Sequence, residues 1–476
     1  MQKLFISLLL FIAILSAAPV SAQQAKYVFY FIGDGMGVNQ VQGTELYRGE
    51  LEGKIGISPI LFTQFPYATT STTFSATNGV TDSAAAGTAL ASGKKTKNGT
   101  IGKAEDQATD VYSVATWAKN KGYRVGITTS VSIDHATPAA FYAHNAERSS
   151  SYEIGKNLYE AGFDFYAGSD FVDPYNKKDK SGQSESLYDM AAQKGYVIAR
   201  GYKDYQKKSK KAEKIILFQS EKASEKDNSS IPYAIDRDKN DLTLSDITRS
   251  AIHFLTKDSE KGFFLMVEGG KIDWACHSND AATAFHEVMD MDAAVRVAYE
   301  FYAQHPDETL IVITADHETG GFVLGTGAYK LNLQVLKNQK VSEGGFTRIL
   351  SDLRKKYNQE VSWETVKQAL KKNFGFWENV QLTEAQEKRL YNCYEKSFNQ
   401  QNIKLEKSEY AQDEPLAGEA KRIINEIALV GWTSGGHSAG YVPVFAIGAG
   451  AEKFQGRLDN TDIPEKIAEA AGFDRE

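Results

Sequence analysis

Short runs of apolar residues recur along the chain, and each is ended by glycines or polar residues. The runs that predict buried strands are Tyr27–Ile32, Arg124–Thr129, Phe263–Val267, Leu310–Thr314 and Val442–Ile447. Their apolar character is continuous rather than alternating, which indicates strands covered on both faces, as in a parallel sheet. Helical patterns lie between the runs, among them Val114–Lys121, Thr248–Thr256 and Asn279–Ala303. This alternation predicts an α/β fold, a three-layer sandwich with a mostly parallel central sheet.

Two segments break this pattern. Residues 173–240 are rich in Lys, Ser and Asp and predict an irregular excursion around Glu221–Ser230. Residues 325–430 are polar and largely helical in pattern, which predicts a crown-like insertion on the core rather than an independent domain. We therefore expect one α/β domain over residues 23–476, with the insertion at about 325–430.

The first residues have the pattern of a secretory signal peptide. A short positive start at Met1–Lys3 is followed by the apolar run Leu4–Ser16 and by the small residues Val20-Ser21-Ala22. The alternative is an uncleaved anchor, but the run is shorter than the roughly 20 residues that span a bilayer. We expect cleavage after Ala22 and an exported protein, periplasmic or secreted, with no membrane span afterwards.

Composition narrows the class of protein. Of 476 residues, 42% are hydrophobic and 24% charged, which excludes a disordered chain, a collagen-like fibre and a coiled coil. The net charge of −7 leaves no basic excess for a nucleic-acid partner. Two cysteines, Cys276 and Cys393, exclude a disulfide scaffold and leave open one bridge or two free thiols.

Metal-ligating side chains follow the predicted strands. Asp34, Glu268, Asp316 and His317 each come within a few residues of a strand end. Ligands bind beyond the carboxyl ends of strands in open α/β sheets, and carboxylates with imidazoles suit a divalent metal. One such residue would be an ordinary turn former or helix cap, but several strand ends carry one.

Two further segments carry candidate chemistry. Asp273 and His277 are four residues apart, so one helical turn places both on one face, although they could instead be a helix cap and a surface imidazole. Cys276 is off that face and is expected to be a buried small side chain. Ser83 starts a small-residue helix, where the free N–H groups favour phosphate oxygens, although a capping role would use the same position.

These motifs, in this order, resemble the alkaline phosphatase family. The resemblance runs from about Tyr27 to Gly325 and resumes near Gly431–Gly450. The matching motifs are Gly33-Asp34-Gly35-Met36-Gly37, Thr81-Asp82-Ser83-Ala84-Ala85, His135-Ala136-Thr137-Pro138-Ala139, Val267-Glu268-Gly269-Gly270, Ile272-Asp273 with His277, and Thr314-Ala315-Asp316-His317. The resemblance implies an alkaline phosphatase, a homodimer that hydrolyses small phosphate monoesters through a phosphoserine on Ser83.

The resemblance also implies a three-metal site. A first zinc would be held by Asp273, His277 and His437, and a second by Asp34, Asp316 and His317. A third ion, usually magnesium, would be held by Asp34, Thr137 and Glu268. Arg148 matches the phosphate-binding arginine, and Asp82 matches the acid that helps to orient the nucleophile. His437, a loop histidine among glycines, would count as polar surface without the resemblance.

Two positions depart from the best-known bacterial enzymes of the family. His135 stands where those enzymes carry Asp, and an imidazole suits zinc better than magnesium, so zinc could replace magnesium as the third ion. Trp274 stands where they carry Lys, which removes a cation from the phosphate pocket. We expect altered phosphate affinity and faster product release from this second change.

Rival functions remain at this point. A phosphodiesterase or nucleotide pyrophosphatase on the same fold typically lacks the third metal site, so Thr137, Glu268 and Arg148 favour monoesters. A sulfatase needs a modifiable cysteine followed by Pro and Arg, which neither Cys276 nor Cys393 provides. A non-catalytic protein that binds metal or phosphate needs no nucleophile, so Ser83 argues against it.

Overall fold

The computed structural model describes residues 24–257, 259–327, 329–398 and 404–475. The predicted signal peptide, residues 1–22, lies outside the described residues. No helix among the described residues is long and apolar enough to cross a membrane.

Sixteen strands are formed within the described ranges. In chain order they are β1 (Tyr27–Ile32), β2 (Tyr67–Thr72), β3 (Arg124–Thr129), β4 (Phe165–Gly168), β5 (Tyr196–Arg200), β6 (Lys214–Phe218), β7 (Phe263–Glu268), β8 (Thr309–Thr314), β9 (Glu318–Thr319), β10 (Val323–Leu324), β11 (Glu406–Lys407), β12 (Gln412–Asp413), β13 (Val430–Gly431), β14 (His437–Ser438), β15 (Val442–Gly448) and β16 (Leu458–Asp459).

Sixteen α-helices connect or flank these strands in the same described ranges. They are α1 (Val38–Leu51), α2 (Ser83–Ser92), α3 (Val114–Asn120), α4 (Ala136–Ala139), α5 (Ser151–Ala161), α6 (Leu187–Gln193), α7 (Tyr202–Lys208), α8 (Glu221–Ser224), α9 (Leu244–Leu255), α10 (Lys271–His277), α11 (Ala281–Tyr302), α12 (Glu343–Lys356), α13 (Trp363–Phe374), α14 (Glu384–Phe398), α15 (Pro415–Ala428) and α16 (Asp462–Ala471). Short 3₁₀ helices lie at Phe62–Gln64, Leu333–Asn338 and Ala451–Lys453.

Ten strands form one central sheet, in the order β16-β2-β15-β8-β1-β7-β3-β4-β6-β5. All neighbouring pairs are parallel except those of β15, which runs antiparallel to β2 and β8. The long crossovers between parallel strands are helical, as parallel pairing requires. The predicted fold class, an α/β sandwich with a mostly parallel sheet, is confirmed.

The sheet lies between two layers of helices because its central strands are apolar on both faces. Along β1, Val28, Tyr30 and Ile32 join one apolar cluster, with side chains from α2, α3, α5 and α16. Phe29 and Phe31 join the opposite cluster, with side chains from α9 and α11. Each face of the sheet therefore buries its own apolar layer, which makes the three-layer arrangement stable.

Residues 173–240 are more regular than their composition predicts. They contribute β5 and β6, which extend the central sheet in parallel, as well as α6 and α7. The expected excursion around Glu221–Ser230 contains the short helix α8. Of these two strands, β5 is only partly buried, whereas β6 is buried from Ile215 to Phe218.

Most of residues 325–430 packs around a third apolar cluster. The chain leaves the core at β10 and returns at β13, and these two strands pair antiparallel. Side chains of α12, α13, α14 and α15 fill the cluster together with Tyr47 and Phe285 of the core. Both cysteines are free thiols, Cys276 buried in the core and Cys393 half-buried on α14.

One buried ion pair within this region gives a stability prediction. The Arg354 Nη2 atom donates to Glu414 Oε2 at 2.8 Å and to the Ser397 carbonyl oxygen at 2.8 Å, and both charged residues are buried. Removing the arginine leaves a buried carboxylate without its partner. We expect Arg354→Ala to lower the free energy of unfolding by about 3 kcal/mol, measured by urea denaturation.

The neighbouring residue on α12 provides a matched control. Lys355 pairs with Asp352 at 3.5 Å, but both side chains are about three-quarters exposed. Lys355→Ala should therefore change the free energy of unfolding by less than about 1 kcal/mol. Equal effects of the two substitutions would contradict the assignment of Arg354 as a buried anchor.

Candidate active site

The register of the central strands brings four strand ends into one row. Ile32 at the end of β1 pairs with Glu268 of β7 on one side and with Thr314 of β8 on the other. Thr129 at the end of β3 pairs with Glu268 as well. Side chains that follow these four parallel strands therefore meet at the carboxyl edge of the sheet, where α/β folds bind ligands.

Asp34, Asp316 and His317 form one buried group at this edge. The His317 Nε2 atom lies 3.4 Å from Asp34 Oδ1 and 3.3 Å from Asp316 Oδ2. The Gly35 N–H donates to Asp316 Oδ1 at 3.1 Å. Gly35 has φ +72°, and a Cβ there would approach Asp273 Cα to 2.7 Å, so only glycine lets this loop lie against α10.

Asp273, His277 and His437 form a second group. The His277 Nε2 atom is 3.2 Å from Asp273 Oδ2 and 3.2 Å from His437 Nε2. The Nδ1 atoms of the two histidines face backbone carbonyls, Gly435 O at 2.6 Å for His277 and Thr81 O at 2.8 Å for His437. These contacts fix both rings with Nε2 free to bind a metal.

His437 reaches this group through a short strand pairing. It lies on β14, opposite Thr319 of β9, so the glycine-flanked loop is held against the segment that carries His317. The Thr319 hydroxyl donates to Asp273 Oδ1 at 2.6 Å and lies 3.2 Å from His317 Nδ1. Thr319 therefore links the two groups, although the sequence motifs did not single it out.

Thr137, Glu268 and His135 form a third group around Asp34. The Thr137 Oγ1 atom is 3.4 Å from Asp34 Oδ2 and 3.4 Å from Asp316 Oδ2. One possible ligand atom each from Asp34, His135 and Glu268 lies within 4.8 Å of the others. Thr129, at the end of β3, donates to Glu268 Oε2 and fixes that carboxylate.

Ser83 is the first residue of α2 and is fully buried. Its Oγ atom lies 3.2 Å from His317 Nε2. Asp82 caps the helix by accepting the Ala85 N–H at 3.0 Å, and its other oxygen accepts from Arg148 Nη1 at 3.1 Å. One carboxylate thus fixes both the helix that carries the serine and the arginine beside it.

Two residues of the 325–430 region also reach the site. The Tyr410 ring stacks on Trp274, with centroids 4.5 Å apart and planes at 7°, and its oxygen lies 3.3 Å from Arg148 Nη2. The Glu409 carboxylate lies 3.6 Å from His277 Nε2. The sequence offered no signal for either residue, because both follow a polar stretch far from every motif.

Burial and mutual repulsion dominate the electrostatics of this pocket. Burial, with a smaller contribution from Asp273, raises the pKa of Asp316 to about 7. Burial raises the pKa of Glu268 to about 8, and burial together with Asp316 raises that of Asp34 well above its usual range. Burial disfavours the charged form of His277, but the nearby Asp273 carboxylate outweighs this effect and raises the pKa of His277 to about 9. Cations would relieve this excess of buried carboxylates.

All of the site residues expected from the sequence meet in this one pocket. They are Asp34, Asp82, Ser83, His135, Thr137, Arg148, Glu268, Asp273, Trp274, His277, Asp316, His317 and His437. A sheet edge that presents grouped carboxylates and imidazoles beside a serine hydroxyl defines the class of metal-dependent hydrolases.

Comparison with known proteins places the chain within that class. A family model described as alkaline phosphatase matches residues 25–166 and 170–473. Alkaline phosphatase 4 of Bacillus subtilis (strain 168) is 33% identical over 463 residues, covering 94% of this chain and 89% of that protein. Alkaline phosphatase 3 of the same organism is 31% identical, covering 94% and 90%.

Two solved structures of similar fold are alkaline phosphatases as well. The cold-active alkaline phosphatase from the psychrophile Shewanella sp. has a TM-score of 0.77 at 28% identity, covering 94% of this chain and 99% of that one. The alkaline phosphatase of Thermus thermophilus has a TM-score of 0.75 at 25% identity, covering 98% and 96%. The chain belongs to the alkaline phosphatase family. The predicted class of enzyme, a metal-dependent phosphomonoesterase, is confirmed.

The raised pKa values predict proton release when metal binds. A metal needs a carboxylate and a neutral imidazole, but in the metal-free protein at pH 7 most of Glu268 and His277 carry their protons. We expect zinc and magnesium binding at pH 7 to release roughly two protons from these two groups, and further protons from Asp34 and Asp316, whose pKa values are also raised. Fewer protons should be released at pH 9.5, where Glu268 and His277 are largely deprotonated beforehand. Calorimetry in buffers of different ionisation enthalpy measures this number.

A single substitution provides the control. Glu268→Gln removes one of the groups that hold a proton, so its proton release at pH 7 should be smaller than that of the wild type by roughly one. Release that is the same at pH 7 and pH 9.5 would show that these side chains do not lose protons to the metals.

Proposed function

We propose that this chain hydrolyses phosphate monoesters to an alcohol and inorganic phosphate through a phosphoserine on Ser83. One observation carries the proposal: the Ser83 Oγ atom lies 3.2 Å from His317 Nε2, within the pocket that gathers the possible metal ligands. A capping role alone does not explain this position, because the cap of α2 is Asp82.

The donor atoms of the pocket fit bound cations. Among the described residues, the buried atoms Asp34 Oδ1, Glu268 Oε1 and both ring nitrogens of His135 have no hydrogen-bond partner. Buried polar atoms are normally paired, so each of these needs a partner that the protein chain does not supply. Carboxylate oxygens and imidazole nitrogens are the ligands that zinc binds, and carboxylate with hydroxyl oxygens suit magnesium.

The proposed ligand sets follow the groups described above. The first ion would be held by Asp273, His277 and His437, and the second by Asp34, Asp316 and His317. The third would be held by Asp34, Thr137 and Glu268. We propose zinc in the first two positions and magnesium in the third, with His135 shifting the third toward zinc because imidazole prefers the softer ion.

The side chains of the chain itself bind and orient the phosphoryl group. Ser83 Oγ attacks phosphorus as it loses its proton, so the Oγ–P bond forms as the bond to the alcohol oxygen breaks, and the leaving oxygen gains a proton to become the alcohol. Water then attacks phosphorus, the Oγ–P bond breaks, and one proton of that water returns to Oγ as inorganic phosphate leaves. Bound cations supply the charge that lowers the pKa of a nearby hydroxyl and stabilises the attacking and leaving oxygens.

Arg148 and Asp82 position the substrate. The guanidinium of Arg148 can bind two phosphoryl oxygens at once, which an ammonium cannot do with the same geometry. Asp82 accepts from Arg148 Nη1 at 3.1 Å and so holds the guanidinium beside the start of α2. A monoester offers three non-bridging oxygens to this arrangement, whereas a diester offers two.

The remaining proposals concern the whole protein. We propose that residues 1–22 are a signal peptide, that the protein is periplasmic or secreted, and that residues 23–476 form one α/β domain whose insertion spans about 325–430. The pairing of β10 with β13 at the neck of that segment supports the last of these. We also propose a homodimer, on the basis of family membership alone. The N-terminal sequence of the purified protein and its mass in solution check these proposals.

Substrate preference tests the reaction. We expect zinc- and magnesium-loaded protein to release p-nitrophenol from p-nitrophenyl phosphate at least about a hundredfold faster, as kcat/KM, than from bis(p-nitrophenyl) phosphate, because the diester lacks one oxygen for charge stabilisation. A chelator should abolish both reactions, and added zinc should restore them. Comparable rates on the two esters would favour a phosphodiesterase, and no turnover after metal loading would favour a binding protein.

The nucleophile is tested by its removal. Ser83→Ala should lower kcat by at least about a thousandfold, because the covalent route is lost, while zinc content by elemental analysis stays unchanged. Ser92→Ala, at the other end of α2, is the matched control and should keep kcat. Covalent capture of labelled phosphate by the Ser83→Ala protein would refute the assignment.

A further inference from the structure

A hairpin of the 325–430 segment ends inside the phosphatase pocket. Its strands β11 and β12 pair antiparallel through Glu406 with Asp413 and Lys407 with Gln412. The Ser408 N–H donates to the Ala411 carbonyl oxygen at 3.0 Å, and the Ala411 N–H donates to Ser408 Oγ at 3.1 Å. These bonds close the turn between the two strands. We call residues 406–413 the tip hairpin, and the two central side chains of its turn are those of Glu409 and Tyr410.

The ring of Tyr410 lies over one wall of the pocket. It stacks on Trp274 and makes edge-to-face contacts with the rings of His277, 5.3 Å away, and His135, 5.8 Å away between centroids. The planes of the two stacked rings are nearly parallel, which fixes the direction of the Tyr410 ring and therefore of its hydroxyl. The hydroxyl points toward Arg148.

Arg148 is held at both terminal nitrogens by different parts of the fold. Nη1 donates to Asp82 Oδ2 at 3.1 Å, and Nη2 donates to the Tyr410 oxygen at 3.3 Å. An arginine side chain has several rotatable bonds, and one contact fixes its position but leaves the plane of the guanidinium free to turn. Two contacts at opposite nitrogens fix the plane.

The tip hairpin is anchored away from the sheet. Arg422 of α15 binds both oxygens of Glu406, at 2.8 Å and 3.2 Å. Beyond β12, Glu414 pairs with the buried Arg354, and its N–H donates to Thr347 Oγ1 at 3.1 Å. The hairpin that carries Tyr410 is therefore held by helices of the 325–430 segment, while the ring of Tyr410 rests on Trp274 of the core helix α10.

We propose that Tyr410 is a positioning residue that acts through Arg148, holding the guanidinium in the plane in which it binds the phosphoryl group. The inference rests on the proposed role of Arg148 in phosphate binding. A side chain that is already ordered loses less conformational freedom when its ligand arrives, so affinity rises without any new contact to the ligand. The 325–430 segment thus tunes the phosphate affinity of a site whose ligands lie on the core.

Kinetics and phosphate inhibition of the metal-loaded protein test this. Tyr410→Phe keeps the ring on Trp274 and removes only the acceptor for Arg148. We expect KM for p-nitrophenyl phosphate and Ki for inorganic phosphate to rise together by about fivefold, the size that loss of one hydrogen bond gives, with a smaller change in kcat. Tyr391→Phe, an exposed tyrosine of the same segment, is the matched control and should change neither constant.

A double-mutant cycle separates positioning from direct contact. If Tyr410 acts through Arg148, then Tyr410→Phe should leave Ki unchanged in an Arg148→Ala background. The same fivefold rise in that background would overturn the proposal, because the hydroxyl would then contact phosphate itself. An unchanged Ki for Tyr410→Phe alone would overturn it too, since the ring would then be packing only.

The failure of the proposed function has a different signature. In that case the wild-type protein would not turn over p-nitrophenyl phosphate at all. Calorimetric titration of the metal-loaded proteins with inorganic phosphate still measures the effect of Tyr410→Phe, which is expected to be the same fivefold loss of affinity. Equal phosphate affinity of wild type and variant in that titration would contradict the positioning role of Tyr410, whether or not the protein hydrolyses phosphate esters.

Discussion

Four carboxylates buried within one pocket are the constraint on which the rest of this structure depends. Asp34, Glu268, Asp273 and Asp316 are all removed from solvent at the edge of the sheet. Like charges in a poorly hydrated space repel, and each loses its hydration as well. The neighbouring guanidinium, Arg148, already faces Asp82. Bound cations would therefore stabilise the pocket. The Nδ1 atoms of His277 and His437 face backbone carbonyls, so the Nε2 atoms of both rings point into the same space.

The fold creates this convergence through strand register rather than through flexible loops. Ile32 pairs with both Glu268 and Thr314, so the residues after β1, β7 and β8 cannot separate without breaking the sheet. The pairing of β14 with β9 places His437 beside these residues. Ser83 is placed by a third element, because it is the first residue of α2. Elements far apart in sequence are thus fixed to one point by backbone hydrogen bonds, which gives side chains the precision that metal and phosphoryl chemistry need.

The sequence predicted what local patterns encode. The bounds of β1 and β3 agree with their apolar runs, because those runs end at residues that cannot continue a buried strand. The strand β2 (Tyr67–Thr72) was missed because its sequence is mostly Thr and Ser rather than an apolar run, and β5 because it is only partly buried. Asp34, Glu268, Asp316 and His317 could be singled out because each follows a strand, and Asp273 with His277 because of their helical spacing. Thr137 and His437 came only from the resemblance of the motifs to a known family. Tyr410 could not be predicted, since its place depends on how distant helices pack.

Two parts of the fold therefore determine the geometry of the site. The core supplies the charged groups and fixes them by register, whereas the plane of Arg148 depends on a hairpin held by α12 and α15. The core alone would leave the guanidinium tied at one nitrogen, and binding phosphate would then include the cost of ordering it. Because the buried pair of Arg354 and Glu414 lies directly beyond β12, weakening that pair would loosen the hairpin before it disturbs the sheet. Phosphate affinity is thereby linked to the packing of the 325–430 segment, while the grouping of the buried carboxylates is linked to the register of the sheet.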